Sequence, residues 1–321
     1  MSKKKLRIGV LFGGKSAEHE VSLQSAKNVI AALDPKKYQV IPLKIKKDGR
    51  FDTLIVKKVD VVFPVLHGPF GEDGSMQGFL KLSGVPYVGA GVLGSAVGMD
   101  KDIMKRLLRD AGIPIGKFIA FKTGDKPSFE KVKAVLGLPL FIKPANLGSS
   151  VGVSKARTES EFKKAIVLAF QFDSKIIVEE FIDGREIECS ILGNDTPMAS
   201  VPGEIIASQD FYSYDAKYND TSSMSVIPAK LDRATIEKVQ TTAIAVFQAL
   251  NCEGMGRVDS FVTKSGKVIV NEINTIPGFT NISMYPKLWG ASGLSLAHLL
   301  DRLIELALER FEKEKKFKTS M

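Results

Sequence analysis

Asp259 and Glu272 are carboxylates on two segments that read as the arms of one hairpin. Residues 256–263, Gly-Arg-Val-Asp-Ser-Phe-Val-Thr, alternate with period two, and so do residues 268–274, Val-Ile-Val-Asn-Glu-Ile-Asn. Lys-Ser-Gly-Lys between them is a turn signal. A two-residue turn at Ser265-Gly266, or a four-residue loop, sets Asp259 opposite Glu272 and Arg257 opposite Asn274. All four then share one face, and Val258, Val262, Ile269 and Ile273 take the other, which reads as core. Two carboxylates directly opposite each other repel. A divalent cation removes that cost. Two acids and an Asn amide form an oxygen-only set that suits Mg²⁺, which keeps waters and takes substrate phosphates as remaining ligands. The competing reading is a solvated face on which Arg257 screens the acids; the Pro-Gly-Phe-Thr run after Asn274 favours a binding loop.

Four further motifs carry chemistry. Gly9 to Ser16 satisfies the phosphate-loop pattern G-x-x-x-x-G-K-S. That mechanism needs a strand ending at the first glycine, yet the apolar run passes through Gly9 to Phe12, so the match reads as chance. What remains is a strand, a Gly-Gly turn and a helix start. Glu18 there either complements the helix dipole or presents a carboxylate to an ammonium group at the sheet edge. His67-Gly-Pro-Phe-Gly-Glu-Asp-Gly74 also follows a buried strand, which sets His67 at the same edge. Lys143 ends a strand and precedes Gly148-Ser149-Ser150, a cation with hydroxyls and free amides that fits a triphosphate. Glu179-Glu180-Phe181-Ile182 runs into a turn whose backbone can read an adenine edge, and Glu186 beyond it can hold ribose hydroxyls.

These groups need elements to hold them. Buried strands are expected at 6–12 and 59–65, and further strands at 86–88, 139–143, 176–181, 186–192 and 198–206. Helices are expected at 16–33, 76–83, 100–111, 159–169, 232–250 and 294–311. The early alternation of strand and helix implies a parallel α/β sheet. The glycine-rich stretch 84–98 and Asp183-Gly184 mark boundaries, dividing the chain into 1–98, 99–184 and 185–321. Residues 208–225 break every periodicity and carry three tyrosines, as a functional loop or lid does.

A chain of 321 residues can bury a substantial core in two or three domains. No apolar run is long enough to span a membrane, and no signal peptide is visible. Cys189 and Cys252 form no framework and read as core thiols, which points to a reducing, cytoplasmic location. The net charge of +9 is partly loaded at the two ends, without the interleaved aromatics of a nucleic-acid surface; an acidic small substrate accounts for the interior cations.

Taken together, the motifs resemble those of the D-alanine–D-alanine ligases of the ATP-grasp superfamily. Seven pieces come in that family's order along nearly the whole chain: Gly13 through Glu18 to Ser22; His67-Gly68 to Gly74; Met99-Asp100-Lys101; Lys143-Pro144 to Ser150; Lys217-Tyr218; Gly256 to Asp259; and Asn271 to Gly278. The resemblance implies an N-terminal parallel α/β domain and two α+β domains that clamp ATP. By the same resemblance Lys101 and Lys143 contact the α- and β-phosphates with Ser150 beside them, Glu180 to Ile182 hold adenine, Glu179 also belongs to the ATP site, and Glu186 binds ribose. Asp259, Glu272 and Asn274 hold two Mg²⁺ ions, with Mn²⁺ as a substitute. Glu18 anchors the first D-alanine, with Val21 and His67 beside it, and Ser283 and Met284 take the second substrate's carboxylate. Arg257 and the Gly278 amide meet charge on the acyl oxygen. Ser149 and Tyr218 link Glu18 to the long loop, whose Lys217 approaches the γ-phosphate. The implied reaction joins two D-alanines through D-alanyl phosphate for peptidoglycan synthesis, in a cytoplasmic homodimer. A sister ligase using D-lactate or D-serine is the alternative, and Tyr218 stands where depsipeptide-forming relatives commonly carry His.

Overall fold

The computed structural model describes residues 5–206 and 224–318. The first apolar run forms β1 (Leu6–Gly13), paired in parallel with β2 (Tyr38–Ile45) and β3 (Val61–Pro64). Parallel neighbours need a crossover, and α1 (His19–Ala32) supplies it between β1 and β2. This helix starts three residues later than its apolar pattern suggests, because residues 16–18 stay in a turn. β2 is an edge strand, so its Pro42 removes no ladder bond that the sheet needs. Gly9 sits in mid-strand, where a Cβ would lie 2.7 Å from Leu43 Cδ1. Its role is close strand packing, and the phosphate-loop match is indeed a coincidence of spacing. The segment expected as a strand at 86–88 makes one parallel bridge, Val62 to Tyr87.

Two antiparallel sheets follow. β4 (Phe118–Lys122), β5 (Leu140–Pro144), β6 (Ser154–Ala156) and β7 (Lys175–Glu180) are ordered β4-β7-β5-β6, with α5 (Phe129–Leu136) and α6 (Glu159–Ala169) burying their apolar sides beneath them. The start of α6 is fixed by a capping box between Thr158 and Glu161. The other sheet runs β11-β10-β8-β12-β13, from β8 (Gly184–Gly193), β10 (Gly203–Ile206), β11 (Met224–Val226), β12 (Gly254–Thr263) and β13 (Val268–Asn274), with β9 (Met198–Ala199) on β8. α7 (Arg233–Ala249) covers one face of this sheet. The linking helices are α2 (Ser75–Leu82), α3 (Val92–Met99) and α4 (Lys101–Asp110). α3 lies in the glycine-rich stretch read as a boundary, because its glycines sit where neighbours approach closely: a Cβ on Gly94 would lie 2.7 Å from the Asn251 carbonyl, and one on Gly98 2.9 Å from Thr275 Cγ2. α8 (Met284–Ala291) leads to the closing helix α9 (Leu296–Glu314). Leu299, Leu303 and Ile304 of α9 share one core with Ile8, Val10 and Phe63, so the C-terminal helix completes the core of the N-terminal sheet.

The hairpin register departs from expectation in one way that matters. Thr263 pairs with Lys267, so the turn has three residues and Gly266 takes φ 72°. That slips the ladder by one, pairing Phe261 with Ile269. A bulge between Asp259 and Ser260, with Asn271 as the extra residue, restores the expected pairs Asp259–Glu272 and Arg257–Asn274. Ile269 therefore leaves the core face, and Val268 and Val270 are buried there instead.

Candidate active site

Two cavities meet between the sheets. A cavity of about 430 Å³ lies between the β5–β7 side and the β8–β12–β13 side. A smaller one of about 110 Å³ reaches to α1, His67 and the start of α8. Six residues line both: Lys101, Gly148, Ser149, Glu188, Ile205 and Glu272. Every expected site residue among the described residues lines one of the two cavities. Lys217 and Tyr218, with nearly all of the expected loop 208–225, lie outside the described residues; Met224 and Ser225 belong to β11.

Glu18 is the N-cap of α1 but makes no side-chain capping bond. Its carboxylate instead accepts a short hydrogen bond from Ser149 Oγ. The side chain is thus aimed at the cavity rather than at the first N–H groups of the helix. Ser149 and Ser150 sit at φ 51° and 58°, a left-handed region that non-glycine residues seldom occupy. Such strain persists where surroundings over-determine it, and here it aims Ser149 at Glu18. Gly68, at φ 73°, leaves room for that carboxylate; a Cβ would come within 2.9 Å of Glu18 Oε2.

The cations of the larger cavity are tied into one network. Lys101 donates to the Leu147 carbonyl at 2.8 Å and pairs with Glu272 at 3.1 Å. Lys143 pairs with Glu179 Oε2 at 2.6 Å and donates to Asn271 Oδ1 at 3.3 Å. Lys105, one turn beyond Lys101 on α4, takes Glu179 Oε1 at 2.9 Å. Burial works to raise the Glu179 carboxyl, but the two lysine charges outweigh it and hold it below its ordinary value. Burial likewise works against Lys143, yet Glu179 and Glu272 hold it above the ordinary lysine value. For Lys105, burial wins with help from the charge of Lys143 and holds it below that value. At the far end Phe181 stacks on Phe141, with centroids 6.2 Å apart and planes 20° apart, and Lys155 lies 5.4 Å from the Phe181 ring. Glu180 is tied to Lys117 twice: its side chain accepts from Lys117 N at 2.8 Å, and its own N–H donates to the Lys117 carbonyl at 3.1 Å.

The carboxylates of the hairpin do not face each other uncompensated, contrary to the repulsion expected from the register. Arg257 donates to both oxygens of Asp259, at 2.7 and 2.7 Å, and its Nε lies 3.1 Å from Glu188 Oε2. Burial works to lower the Arg257 guanidinium; the charges of Asp259 and Glu188 hold it well above its ordinary value instead. Glu272 has Lys101. Asn274 Oδ1 is buried with no hydrogen-bond partner among the described residues. An orphaned buried acceptor beside two acids is a donor set that fits a hard cation. Among the described residues no cluster of three or more His, Cys, Asp or Glu is gathered to hold a metal; this set is two acids and an amide.

The smaller cavity is braced by α1. Ser25 Oγ lies 3.3 Å from His67 Nε2 and accepts from Phe279 N at 3.2 Å. Asn28 donates to the Phe279 carbonyl at 2.9 Å. The Gly278 segment is therefore held at a fixed height over α1. Ser283, the N-cap of α8, uses its hydroxyl on Thr280, whose N–H donates at 2.9 Å.

Lys105, Glu188, Ser25 and Asn28 escape motif reading, and Asn271 stands inside one of the seven motif pieces without a role there. Glu188 follows Glu186 with strand period two, and Ser25 and Asn28 follow Val21 at helical spacing, so extending each period finds them. Asn271 faces the cavity through the bulge, for which the sequence carries no signal. The thiols of Cys189 and Cys252 are buried and pushed up to about 12 by that burial, which keeps them inert core groups. Among the described residues no helix is long and apolar enough to cross a membrane.

Comparison with known proteins adds independent findings. The family model described as D-ala D-ala ligase C-terminus matches residues 107–305, and that described as D-ala D-ala ligase N-terminus matches 7–55 and 52–90. A D-alanine–D-alanine ligase of Oceanobacillus iheyensis is 49% identical over 361 residues, covering 98% of this chain and 99% of its own. The structure of the D-alanine–D-alanine ligase from Coxiella burnetii superposes with TM-score 0.88 at 41% identity, covering 98% of this chain and 97% of its own. The VanG D-Ala:D-Ser ligase from Enterococcus faecalis gives 0.87 at 39%, covering 95% and 100%. The Bacillus anthracis D-alanine–D-alanine ligase complexed with ATP gives 0.84 at 32%, covering 96% and 99%.

Proposed function

This chain belongs to the D-alanine–D-alanine ligase family of ATP-grasp enzymes, and from that premise we propose how its own residues join two D-alanines at the expense of ATP. The observation that carries the reading is the seam where the two cavities share Lys101, Ser149, Glu188 and Glu272. A nucleotide in the larger cavity ends where an amino acid in the smaller one begins. ATP lies with its base against Phe181 and the backbone of Glu180 to Ile182, with Glu179 at its edge and its ribose on Glu186. Its phosphates lie on Lys101, Lys143 and Ser150. Asp259, Glu272 and Asn274 would hold the two Mg²⁺ ions, which when bound supply positive charge to the phosphate oxygens; Mn²⁺ fits the same donors.

Glu18, held by Ser149, receives the ammonium group of the first D-alanine, with Val21 and His67 closing the pocket. The carboxylate of that D-alanine attacks the γ-phosphorus, and ADP leaves, giving D-alanyl phosphate. The second D-alanine places its carboxylate at Ser283 and Met284, where the first N–H groups of α8 favour an anion. Its amine, having lost a proton, attacks the acyl carbon. Arg257 and the Gly278 amide meet the negative charge that develops on the acyl oxygen. Collapse expels phosphate and leaves the dipeptide. By the family resemblance Lys217, for the γ-phosphate, and Tyr218, for Ser149, complete the set; both lie outside the described residues. The same reading divides the chain at 98 and 184 and makes it a cytoplasmic homodimer supplying peptidoglycan synthesis.

The likeness to the D-Ala:D-Ser ligase keeps D-serine, and by the same logic D-lactate, as the alternative second substrate. Phosphate release from ATP, measured with Mg²⁺ and with D-alanine, L-alanine, D-serine or D-lactate in turn, decides. D-Alanine alone is expected to support full turnover with D-alanyl-D-alanine as product. Equal turnover with L-alanine, or turnover indifferent to a chelator, overturns the reading.

A further inference from the structure

Three carboxylates stand in one row across the central sheet. The register pairs Glu188 of β8 with Asp259 of β12, and Asp259 with Glu272 of β13, so all three share the cavity face. Glu188 and Asp259 are 3% and 4% exposed, and Arg257 beside them is 6% exposed. A buried guanidinium must keep an anionic acceptor. Arg257 now spends Nε and Nη2 on the two oxygens of Asp259, with Glu188 Oε2 at 3.1 Å from the same Nε. A carboxylate held at both oxygens by one guanidinium has given about half of its lone-pair sites, and much of its charge, to that partner. Arg257 and a divalent cation therefore compete for Asp259, and Glu188 is the acid already placed to take the loser.

We propose that Glu188 is a positioning residue that receives Arg257 when Asp259 turns to a divalent cation. The exchange has a consequence for the chemistry. Nη2, which donates to Asp259 in the present arrangement, is released toward the smaller cavity that Arg257 lines, where charge develops on the acyl oxygen. Loading of the cation site and presentation of the oxyanion donor become one event. Glu188 lines both cavities, as a group linking the two sites must. The inference rests on the reading of Asp259 as a metal ligand, and the test separates the two.

The test is Mn²⁺ binding to the full-length protein with ADP, followed by the electron paramagnetic resonance signal of free Mn²⁺. Thermal unfolding without metal checks that each variant folds. Glu188→Gln should weaken Mn²⁺ binding about tenfold, the scale on which groups that orient metal ligands act. Glu188→Asp should restore most of it. Arg257→Met should tighten binding by removing the competitor. In the Arg257→Met background, Glu188→Gln should change Mn²⁺ affinity little, because no guanidinium is left to receive. An equal loss from Glu188→Gln in both backgrounds would mean that Glu188 acts on the cation directly and would overturn the proposal. Weaker Mn²⁺ binding in Arg257→Met would do the same. Wild-type affinity in Asp259→Asn would instead remove the ligand reading beneath it.

Discussion

Glu179 is the sole partner of Lys105 and one of two partners of Lys143 among the described residues, and this asymmetry makes a sharp prediction. Glu179→Gln leaves the fully buried Lys105 ammonium without its ion-pair partner, and breaking one side of a buried pair costs about 3–5 kcal/mol. Lys105→Met is a different perturbation. It removes a cation that burial already disfavours, fills nearly the same volume, and leaves Glu179 on Lys143 at 2.6 Å. A volume-conserving replacement of this kind should cost less than about 1.5 kcal/mol. The double variant has no orphaned Lys105, so it should be more stable than the sum of the single losses by roughly 1–3 kcal/mol, within the range of coupled neighbours. Urea unfolding with linear extrapolation measures all four proteins on one scale. If Lys105→Met costs as much as Glu179→Gln, or if the two losses simply add, then Glu179 is not the counter-ion of Lys105 and the network has been misjudged.

Other outcomes follow from single features. Ser149→Gly should relieve a left-handed backbone conformation while losing the bond to Glu18, so turnover falls in steady-state assays while thermal unfolding shows equal or higher stability; a clear drop in stability would refute the strain argument. Glu272→Gln should abolish most activity and lose under about 1 kcal/mol of metal-free stability, since the partly exposed pair with Lys101 goes; a gain on thermal unfolding would restore the repulsion argument. The Glu179 carboxyl sits below its ordinary value of 4.5, so between its folded value and 4.5 the unfolded chain binds more protons. Its contribution to stability is thus complete above that window and is lost on acidification through it, and the pH dependence of the urea midpoint should be shallower in Lys105→Met/Glu179→Gln than in wild type. Lys15→Met should leave ATP turnover unchanged, because the pattern around it is mid-strand packing; a collapse of turnover would revive the phosphate-loop reading.

Much of the site is legible in the amino-acid sequence. Period-two alternation sets Arg257 and Asp259 on one face of β12, because side-chain direction along a strand follows from local backbone geometry, but the expected pair Asp259–Glu272 is met only because turn and bulge shift the register in opposite senses. The same local logic aligns Glu18 and His67 at one sheet edge and puts Lys143 at a strand end ahead of its serine loop. What departs from expectation is also local in cause: the three-residue turn and the bulge at Asn271 exchange Ile269 for Val268 and Val270, and two compensating one-residue shifts leave the outer register unchanged. Long-range contacts are another matter. The bond from Ser149 to Glu18 spans 131 positions, and that from Asn28 to the Phe279 carbonyl spans 251. The closing helix that finishes the N-terminal core, the third carboxylate at Glu188, and the seam where two cavities become one site belong to the same class. Periodicity records which way a side chain leaves its own element. Which distant element it then meets is decided by how whole faces pack together, and that information is spread over the entire chain rather than written near any of these residues.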